Sequence, residues 1–367
     1  MNGTFHIPQA INEPIYEYAS GSNERKSLQA ALKDARSKVE DIPMYIGAEE
    51  VRTGDVHDLF PPHDRHHKIG QYHRGTASHV HQAIDAALAA KPMWESMPWE
   101  QRAAIFLKAA ELMSTKYRYV LNASTMLAQS KNAFQSEIDS ICEMVDFLRF
   151  NVQYMAEIYN EQPPANAKGI WNRLEYRPLE GFVFALTPFN FTAIAGNLPT
   201  APAMMGNVIV WKPANSQIYS ANALMRIFRE AGLPDGVFNI VNGDVEIVEA
   251  ICDHPGIEAV SFVGSTKVAK IVYQRATFNY KRCLALGGAK NHLMVLPDAI
   301  PAMTAQNVAA SMSGCAGQRC MAASAMVGVG NVDHIIEKIC EEARKIVPGE
   351  NLGAVINKES KDRIEKY

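Results

Sequence analysis

Four short apolar runs in the middle of the chain constrain its fold more than any other feature. They cover residues 182–186, 208–211, 237–241 and 259–263. Each has the length of a β-strand and carries apolar residues at consecutive positions, which indicates a strand buried on both faces. Helical patterns separate the runs, at 221–231, at 246–252 and after Ser265-Thr266. This alternation predicts an α/β fold with a doubly wound parallel sheet.

The region before these strands reads mainly as helical. A helix is expected from Ser78, which can serve as its N-cap, with Pro92 and Pro98 interrupting the pattern. A second amphipathic helix follows, and a third is predicted over 136–158. An extended ribbon is expected near 165–180. The polar N-terminal part gives only weak signals.

Composition excludes several classes of partner and site. The formal net charge is −3, with 47% hydrophobic and 20% charged residues, so we expect neither a nucleic-acid nor a membrane partner. The N-terminus lacks signal-peptide features and no apolar run could span a bilayer. The six cysteines form no CxxC pair and the clustered histidines lack further ligands, so no metal is expected. A reducing, cytoplasmic location fits free thiols.

A ligand is expected at the carboxyl ends of the parallel strands, although the chain contains no GxGxxG and no Walker A sequence. Gly264-Ser265-Thr266 stands there, between a strand and the start of a helix. Glycine permits close approach, a helix N-terminus favours phosphate, and Ser265 adds a hydroxyl. Taken alone, Ser-Thr after a strand is more often only an N-cap.

The run Gly317-Gln318-Arg319-Cys320 follows the small residues 311–314. Little side-chain bulk and several backbone N–H groups near a cysteine suit a thiolate nucleophile that forms an oxyanion intermediate. A cysteine considered singly is more often a small buried apolar residue. The other cysteine nearby, Cys315, is interpreted as structural.

Three segments together resemble the aldehyde dehydrogenase superfamily: 187–191, 262–266 and 317–320, in this order. The resemblance covers nearly the whole chain. It implies an enzyme that oxidises a small-molecule aldehyde with NAD or NADP, through a cysteine thiohemiacetal and a thioester. It also implies a nucleotide-binding domain followed by a second α/β catalytic domain.

The same resemblance assigns roles to individual residues. Cys320 is the expected nucleophile, and the Asn190 side chain and the Cys320 backbone N–H are the expected oxyanion donors. Lys212 is expected on the cofactor ribose. Asn215 stands where NAD-preferring members often have an acidic residue, so NAD and NADP both remain open. The residues expected to bind the cofactor are Thr187, Pro188, Phe189, Lys212, Asn215, Gly243, Phe262, Gly264 and Ser265.

One expected group is missing. Hydrolytic members carry a glutamate in a Glu-Leu-Gly-Gly-Lys segment, whereas residues 284–290 of this chain contain no carboxylate. Ala285 or Leu286 takes the place of the glutamate. Losing a positioned base typically costs about 10²–10⁴-fold in the step that it serves. The thioester could then wait for another nucleophile, and coenzyme A is the expected acceptor.

The two parts of the chain resemble different subfamilies. Segments 12–14, 172–182 and 187–196 resemble 1-pyrroline-5-carboxylate dehydrogenases, and the sequence after about residue 230 resembles CoA-acylating methylmalonate-semialdehyde dehydrogenases. We therefore expect oxidation of L-glutamate γ-semialdehyde to glutamate, a step of proline catabolism. The acylating reaction is the first alternative. A truncated, inactive paralogue that acts in binding or assembly is the second.

The resemblance also predicts the division of the chain. Residues 1–286 are expected to form the N-terminal region and the NAD(P)-binding domain, including the ribbon near 165–180. Residues 287–367 are expected to form a catalytic domain that is incomplete at its C-terminus, since members of the superfamily continue further. The full-length form is expected to be a homo-oligomer.

Overall fold

The computed structural model describes residues 6–366 of the chain. Its α-helices, in chain order, are α1 (Asn23–Arg36), α2 (Ala77–Ser96), α3 (Trp99–Ser114), α4 (Arg118–Gln129), α5 (Ala133–Ser136), α6 (Glu143–Asn160), α7 (Thr192–Met204), α8 (Ile218–Ala231), α9 (Val245–Asp253), α10 (Thr266–Phe278), α11 (Pro301–Ser313), α12 (Asp333–Arg344) and α13 (Lys358–Ile364). A π-helix, Glu137–Cys142, joins α5 to α6.

The strands are β1 (Glu40–Ile42), β2 (Met44–Ile46), β3 (Glu49–Val51), β4 (Val56–Leu59), β5 (Gly70–His73), β6 (Phe182–Thr187), β7 (Ile209–Pro213), β8 (Phe238–Ile240), β9 (Ile257–Val263), β10 (Arg282–Leu286), β11 (Asn291–Val295) and β12 (Ala323–Gly328). They form a seven-stranded sheet in the order β10-β9-β6-β7-β8-β2-β3, a three-stranded sheet β1-β5-β4, and a parallel pair β11-β12.

The central sheet confirms the predicted doubly wound topology. From β6 the chain adds β7 and then β8 on one side, and it returns to place β9 and β10 on the other side, all five strands being parallel. Helices α2, α9 and α10 pack on one face, and α7 packs on the other. The strand order reverses between β6 and β9, where open α/β sheets leave a ligand crevice.

Burial along the sheet differs from the expectation at one side. Strands β6, β7 and β8 are buried along their whole length, as continuous apolar runs predict. Strands β9 and β10 are only partly buried, because the face that carries Ser261 and Leu284 opens onto a cavity of about 520 Å³. The expectation that the 259–263 strand is buried on both faces is therefore wrong.

Several boundaries also need correction. Helix α2 begins after Thr76 rather than at Ser78, and it continues through Pro92 to Ser96. Trp94 holds this last turn, since its indole N–H donates to the Ala203 carbonyl of α7 at 3.0 Å. The N-terminal hairpin β2-β3, which extends the sheet antiparallel to β8, carried no usable sequence signal.

The region expected as one helix over 136–158 contains the π-helix Glu137–Cys142 and then α6. A π-turn holds one more residue than an α-turn, so it shifts the side chains that follow it around the helix axis. The ribbon expected near 165–180 contains no strand. Its residues are mostly exposed, and its backbone pairs with no neighbouring strand.

Candidate active site

Cys320 lies in a cleft of about 1160 Å³. The walls come from the N-terminal segment, the π-helix, α6, the start of α7, and residues 310–311 and 319–322. The ionisable side chains that line it include Glu13, Asp139, Glu143, Asp146, Arg319 and Cys320. Four of these six carry a carboxylate against one guanidinium, and the lining also contains a second, buried thiol, Cys142.

The loop before Cys320 is bent sharply. Residues 315–317 have φ values of 54°, 54° and 73°, and two of them are not glycine, a conformation that costs about 1–2 kcal/mol per residue. Gln318 stabilises the bend, because its backbone N–H and its side-chain amide both donate to the Cys315 carbonyl, at 3.0 and 2.9 Å. Its side-chain oxygen accepts the Ile356 backbone N–H at 3.0 Å. The nucleophile therefore stands on a fixed turn.

The two neighbouring cysteines have different surroundings. Cys315 is buried, and burial raises the pKa of its thiol, which disfavours the reactive thiolate. Cys320 is partly exposed and lines the cleft. Asn291 donates its side-chain N–H to the Cys320 carbonyl at 2.6 Å, which ties the nucleophile to the start of β11.

Asn190 lies against the same loop. It follows β6 by three residues, and its Nδ2 donates to the Gln318 carbonyl at 2.9 Å, although the two residues are 128 positions apart in the chain. Its Oδ1 is buried and has no hydrogen-bond partner within the described range 6–366. One N–H of the amide is thus committed to the loop, and the second N–H is available to an oxyanion.

Glu143 is a pocket residue that the sequence analysis missed. It lines the Cys320 cleft, and burial, followed by the nearby Asp139 carboxylate, raises its pKa to about 7. The cations Lys131 and Arg319 partly offset that increase. The only signal in the sequence was a run of carboxylates in an otherwise apolar helical pattern, which reads equally well as a solvated face.

Lys212 is placed deeper than expected. It lies inside β7 rather than after it, and it is 7% exposed. Its Nζ donates to Asn215 Oδ1 at 3.2 Å, and Asn215 donates to Asp244 Oδ1 at 2.7 Å. Burial lowers the pKa of Lys212 to about 8. Asp244, which the sequence analysis missed, also pairs with Arg74 at 2.8 Å.

The remaining predicted cofactor residues lie along the carboxyl edge of the sheet. Thr187 ends β6, but its hydroxyl already accepts the Trp211 indole N–H at 2.9 Å. Ser265 caps α10 by accepting the Val268 N–H at 3.4 Å, so the N-cap reading is confirmed. A Cβ at Gly264 would lie 2.5 Å from the Phe262 ring. Pro188 and Phe189 continue from β6, and Gly243 follows β8.

The two positions that could correspond to the missing glutamate, 285 and 286, have different surroundings. In β10 the Leu284 and Leu286 side chains line the 520 Å³ sheet-face cavity, whereas Ala285 packs against the main core. Neither position 285 nor position 286 lines the cleft that contains Cys320.

Within 6–366 no group of three or more His, Cys, Asp or Glu side chains is arranged to hold a metal ion. Over the same range no helix has both the length and the apolar character needed to cross a membrane.

Comparison with known proteins gives consistent matches. Residues 50–367 match the aldehyde dehydrogenase family. Delta-1-pyrroline-5-carboxylate dehydrogenase of Agaricus bisporus is 44% identical over 99% of this chain and 69% of its own length. The mitochondrial human enzyme of the same name is 37% identical over 98% of this chain and 66% of its own length. A Schizosaccharomyces pombe protein named "Probable delta-1-pyrroline-5-carboxylate dehydrogenase" is 43% identical over 87% of this chain and 60% of its own length.

Solved structures agree with these sequences. The Delta-pyrroline-5-carboxylate dehydrogenase of Mycobacterium tuberculosis, solved bound with NAD, has a TM-score of 0.94 and 35% identity, and it covers all of this chain and 72% of its own. A Sinorhizobium meliloti 1021 chain assigned as a methylmalonate-semialdehyde dehydrogenase, solved with NAD, has a TM-score of 0.79 and 29% identity. The match covers 90% of this chain and 69% of that one.

Proposed function

The chain belongs to the aldehyde dehydrogenase family, and from that premise we propose that it oxidises L-glutamate γ-semialdehyde to glutamate with NAD. The observation that carries the proposal is the Cys320 loop with Asn190 beside it, at the edge of an acidic cleft. The names of the curated relatives, 36 to 44% identical to this chain, support the same substrate.

The proposed chemistry begins at Cys320. Its thiolate adds to the aldehyde carbon, and the oxygen that becomes negative accepts hydrogen bonds from the free N–H of Asn190 and from the Cys320 backbone N–H. NAD, when bound, accepts the hydride that leaves this carbon. A thioester on Cys320 remains. Water releases the acid from it, whereas another thiol would take over the acyl group, and either reaction returns the free Cys320 thiol.

The acidic wall supports an amino-acid semialdehyde as substrate. Glutamate semialdehyde carries an ammonium group at neutral pH, and Glu143 and Asp146 provide carboxylates within the cleft that contains the thiol. An opposite charge in a partly buried pocket stabilises the bound cation more than it would in water. Asp146 already accepts the Asn12 amide N–H and the Glu13 backbone N–H, each at 2.7 Å, so a plain aliphatic aldehyde would chiefly leave Glu143 without a cationic partner.

The cofactor preference proposed here rests on Asp244. If Lys212 and Asn215 hold the adenosine ribose, the Asp244 carboxylate 2.7 Å from the Asn215 amide lies near the 2′ position. A negative charge there repels a 2′-phosphate and tolerates a hydroxyl. This supports NAD rather than NADP, although Asn215 itself is uncharged.

Acyl transfer to coenzyme A is the second candidate, because residues 284–290 offer no base and the Sinorhizobium meliloti structure is similar. The comparisons give coenzyme A itself no support.

We also propose that the chain divides into two domains at 286/287, in line with the separate β11-β12 pair. Homo-oligomerisation and a cytoplasmic location also stay predictions, and several relatives carry "mitochondrial" in their names.

The nucleophile is tested by two single variants. Cys320→Ala should abolish NADH formation from L-glutamate γ-semialdehyde while NAD still binds, because only the thiol is lost. Cys315→Ala should keep the activity, since a buried thiol with a raised pKa is a poor nucleophile. The opposite pattern would contradict the assignment. Comparing product release with and without coenzyme A separates the two candidate reactions.

A further inference from the structure

Arg319, the residue before the nucleophile, reaches across the cleft to the π-helix. Its Nη2 donates to Asp139 Oδ2 at 2.8 Å, and the two residues are 180 positions apart in sequence. Lys131 donates to the same carboxylate oxygen at 2.7 Å. Asp139 and Lys131 are both almost completely buried. A single buried carboxylate thus holds two cations.

An aromatic ring adds to this arrangement. Lys131 Nζ lies 4.1 Å from the centroid of the Phe191 ring, and the Arg319 guanidinium carbon lies 6.0 Å from it. Cations at such distances from an aromatic face are attracted to it. Phe191 directly follows the proposed oxyanion residue Asn190, and Arg319 directly precedes the proposed nucleophile Cys320. These contacts therefore involve the sequence neighbours of both proposed catalytic residues.

Gly314 leaves the space that the Arg319 side chain occupies. A Cβ at residue 314 would lie 2.5 Å from Arg319 Nη1 and 2.9 Å from its Cζ. The φ of Gly314 is −53°, which other residues adopt freely. The glycine is therefore needed for the space that the guanidinium occupies and not for its backbone conformation.

The contact between Arg319 and Asp139 helps to hold the strained turn at residues 315–317. The non-glycine residues of 315–317 hold positive φ values next to Cys320, and such conformations persist only where surrounding contacts fix them. Gln318 fixes the near side of the turn. The pair formed by Arg319 and Asp139 fixes the far side.

We infer that Asp139 is a positioning residue: through Arg319 it holds the Cys320 loop in the geometry that hydride transfer requires. This inference rests on the proposed role of Cys320. Asp139 acts on the loop and not on the aldehyde, so its loss should change the rate of the chemical step and leave NAD binding intact. Displacements of about 1 Å near reacting atoms can cost about 10²-fold in rate.

The test compares three variants by the pre-steady-state burst of NADH and by the rate at which iodoacetamide alkylates Cys320. Asp139→Asn leaves the buried Lys131 and the partly exposed Arg319 without their shared anion. Gly314→Ala keeps every charge and displaces the Arg319 guanidinium. Each should slow the burst by roughly 10–100-fold and change the alkylation rate, with an unchanged Kd for NAD. Combining them should slow the burst little further, because both act by moving one side chain.

Glu137→Gln is the matched control. It neutralises a fully buried carboxylate two residues away in the same π-helix, which binds Arg118 and Tyr18 rather than the nucleophile loop. It should lower stability without changing the burst per folded active site. The inference is overturned if Asp139→Asn behaves like Glu137→Gln, or if the effects of Asp139→Asn and Gly314→Ala multiply. The alkylation rate needs no turnover, so it reports on Asp139 even where the proposed reaction fails.

Discussion

Asn190 shows how one side chain serves two contacts at the residue scale. Its Nδ2 donates to the Gln318 carbonyl, and its Oδ1 is buried without a hydrogen-bond partner among residues 6–366. An amide nitrogen carries two N–H groups, so one remains for an oxyanion. An amide held in this way needs little reorganisation when negative charge develops.

Asn190→Ala should therefore slow single-turnover NADH formation by about 10²–10³-fold, the usual effect of losing one oxyanion donor. Single-turnover NADH formation is the measurement, because it reports the chemical step directly. NAD binding should stay normal. An unchanged single-turnover rate would remove Asn190 from the proposed mechanism.

Glu143 predicts a pH dependence of substrate binding. Burial raises its pKa to about 7, with the Asp139 carboxylate adding to the rise and Lys131 and Arg319 opposing it. Asp146 is the other nearby carboxylate. Above its pKa Glu143 is ionised and attracts an ammonium group, whereas below it the side chain is neutral.

The KM for an amino semialdehyde should thus fall as the pH rises from about 6 to about 8, across the titration of Glu143. Glu143→Gln should remove most of this change, and propanal, which has no ammonium group, should not show it in the wild type. A KM profile that Glu143→Gln leaves intact would show that another group titrates.

At the scale of elements, β10 illustrates how strand alternation limits chemistry. Successive side chains point to opposite faces of a sheet. Leu286 faces the cavity beside α7, and Ala285 faces the core beside α10. Neither face is part of the cleft that contains Cys320.

Without a base on β10, we expect a burst of NADH near one equivalent per active site, followed by slow turnover, because hydride transfer needs no such base. Leu286→Glu and Ala285→Glu should not restore fast hydrolysis, since neither position lines the cleft. Stopped-flow absorbance measures both phases. Fast linear turnover that yields free acid would mean that a carboxylate of the cleft wall activates water.

At the scale of the whole molecule, a buried ion-pair network fastens the N-terminal segment to the helical layer. Arg118 is buried between Glu13 and Glu137, and it also donates to the Pro14 carbonyl at 2.7 Å. Tyr18 donates its hydroxyl to Glu137 at 2.6 Å. The segment before α1 therefore depends on a small number of buried charges.

Arg118→Met should destabilise the protein by about 3–5 kcal/mol, because it leaves the buried Glu137 carboxylate without its cation and Glu13 with Arg149 alone. Urea unfolding followed by far-UV circular dichroism measures the change. Arg275→Met provides the comparison. It removes a more exposed arginine paired with Asp253 and Glu249, and it should cost about 1 kcal/mol or less.

The local sequence pattern was sufficient to predict an element wherever the burial of that one element decided its structure. The runs at 182–186 and 208–211 became central strands because continuous apolar residues fit only a strand covered on both faces. Gly232 ended α8 in the left-handed conformation that helix C-termini favour. The hairpin β2-β3 escaped prediction, because its pairing with β8 joins residues almost 200 positions apart.

The sequence by itself determined the doubly wound sheet, the family and the identity of the proposed nucleophile, since each follows from patterns a few residues long. Only the tertiary structure placed Asp139 against Arg319 and Asn190 against Gln318. Those pairings connect residues more than 120 positions apart, and no local preference encodes them. They form because the π-helix, the end of β6 and the loop after α11 meet when the layers pack, and packing is a property of the whole chain.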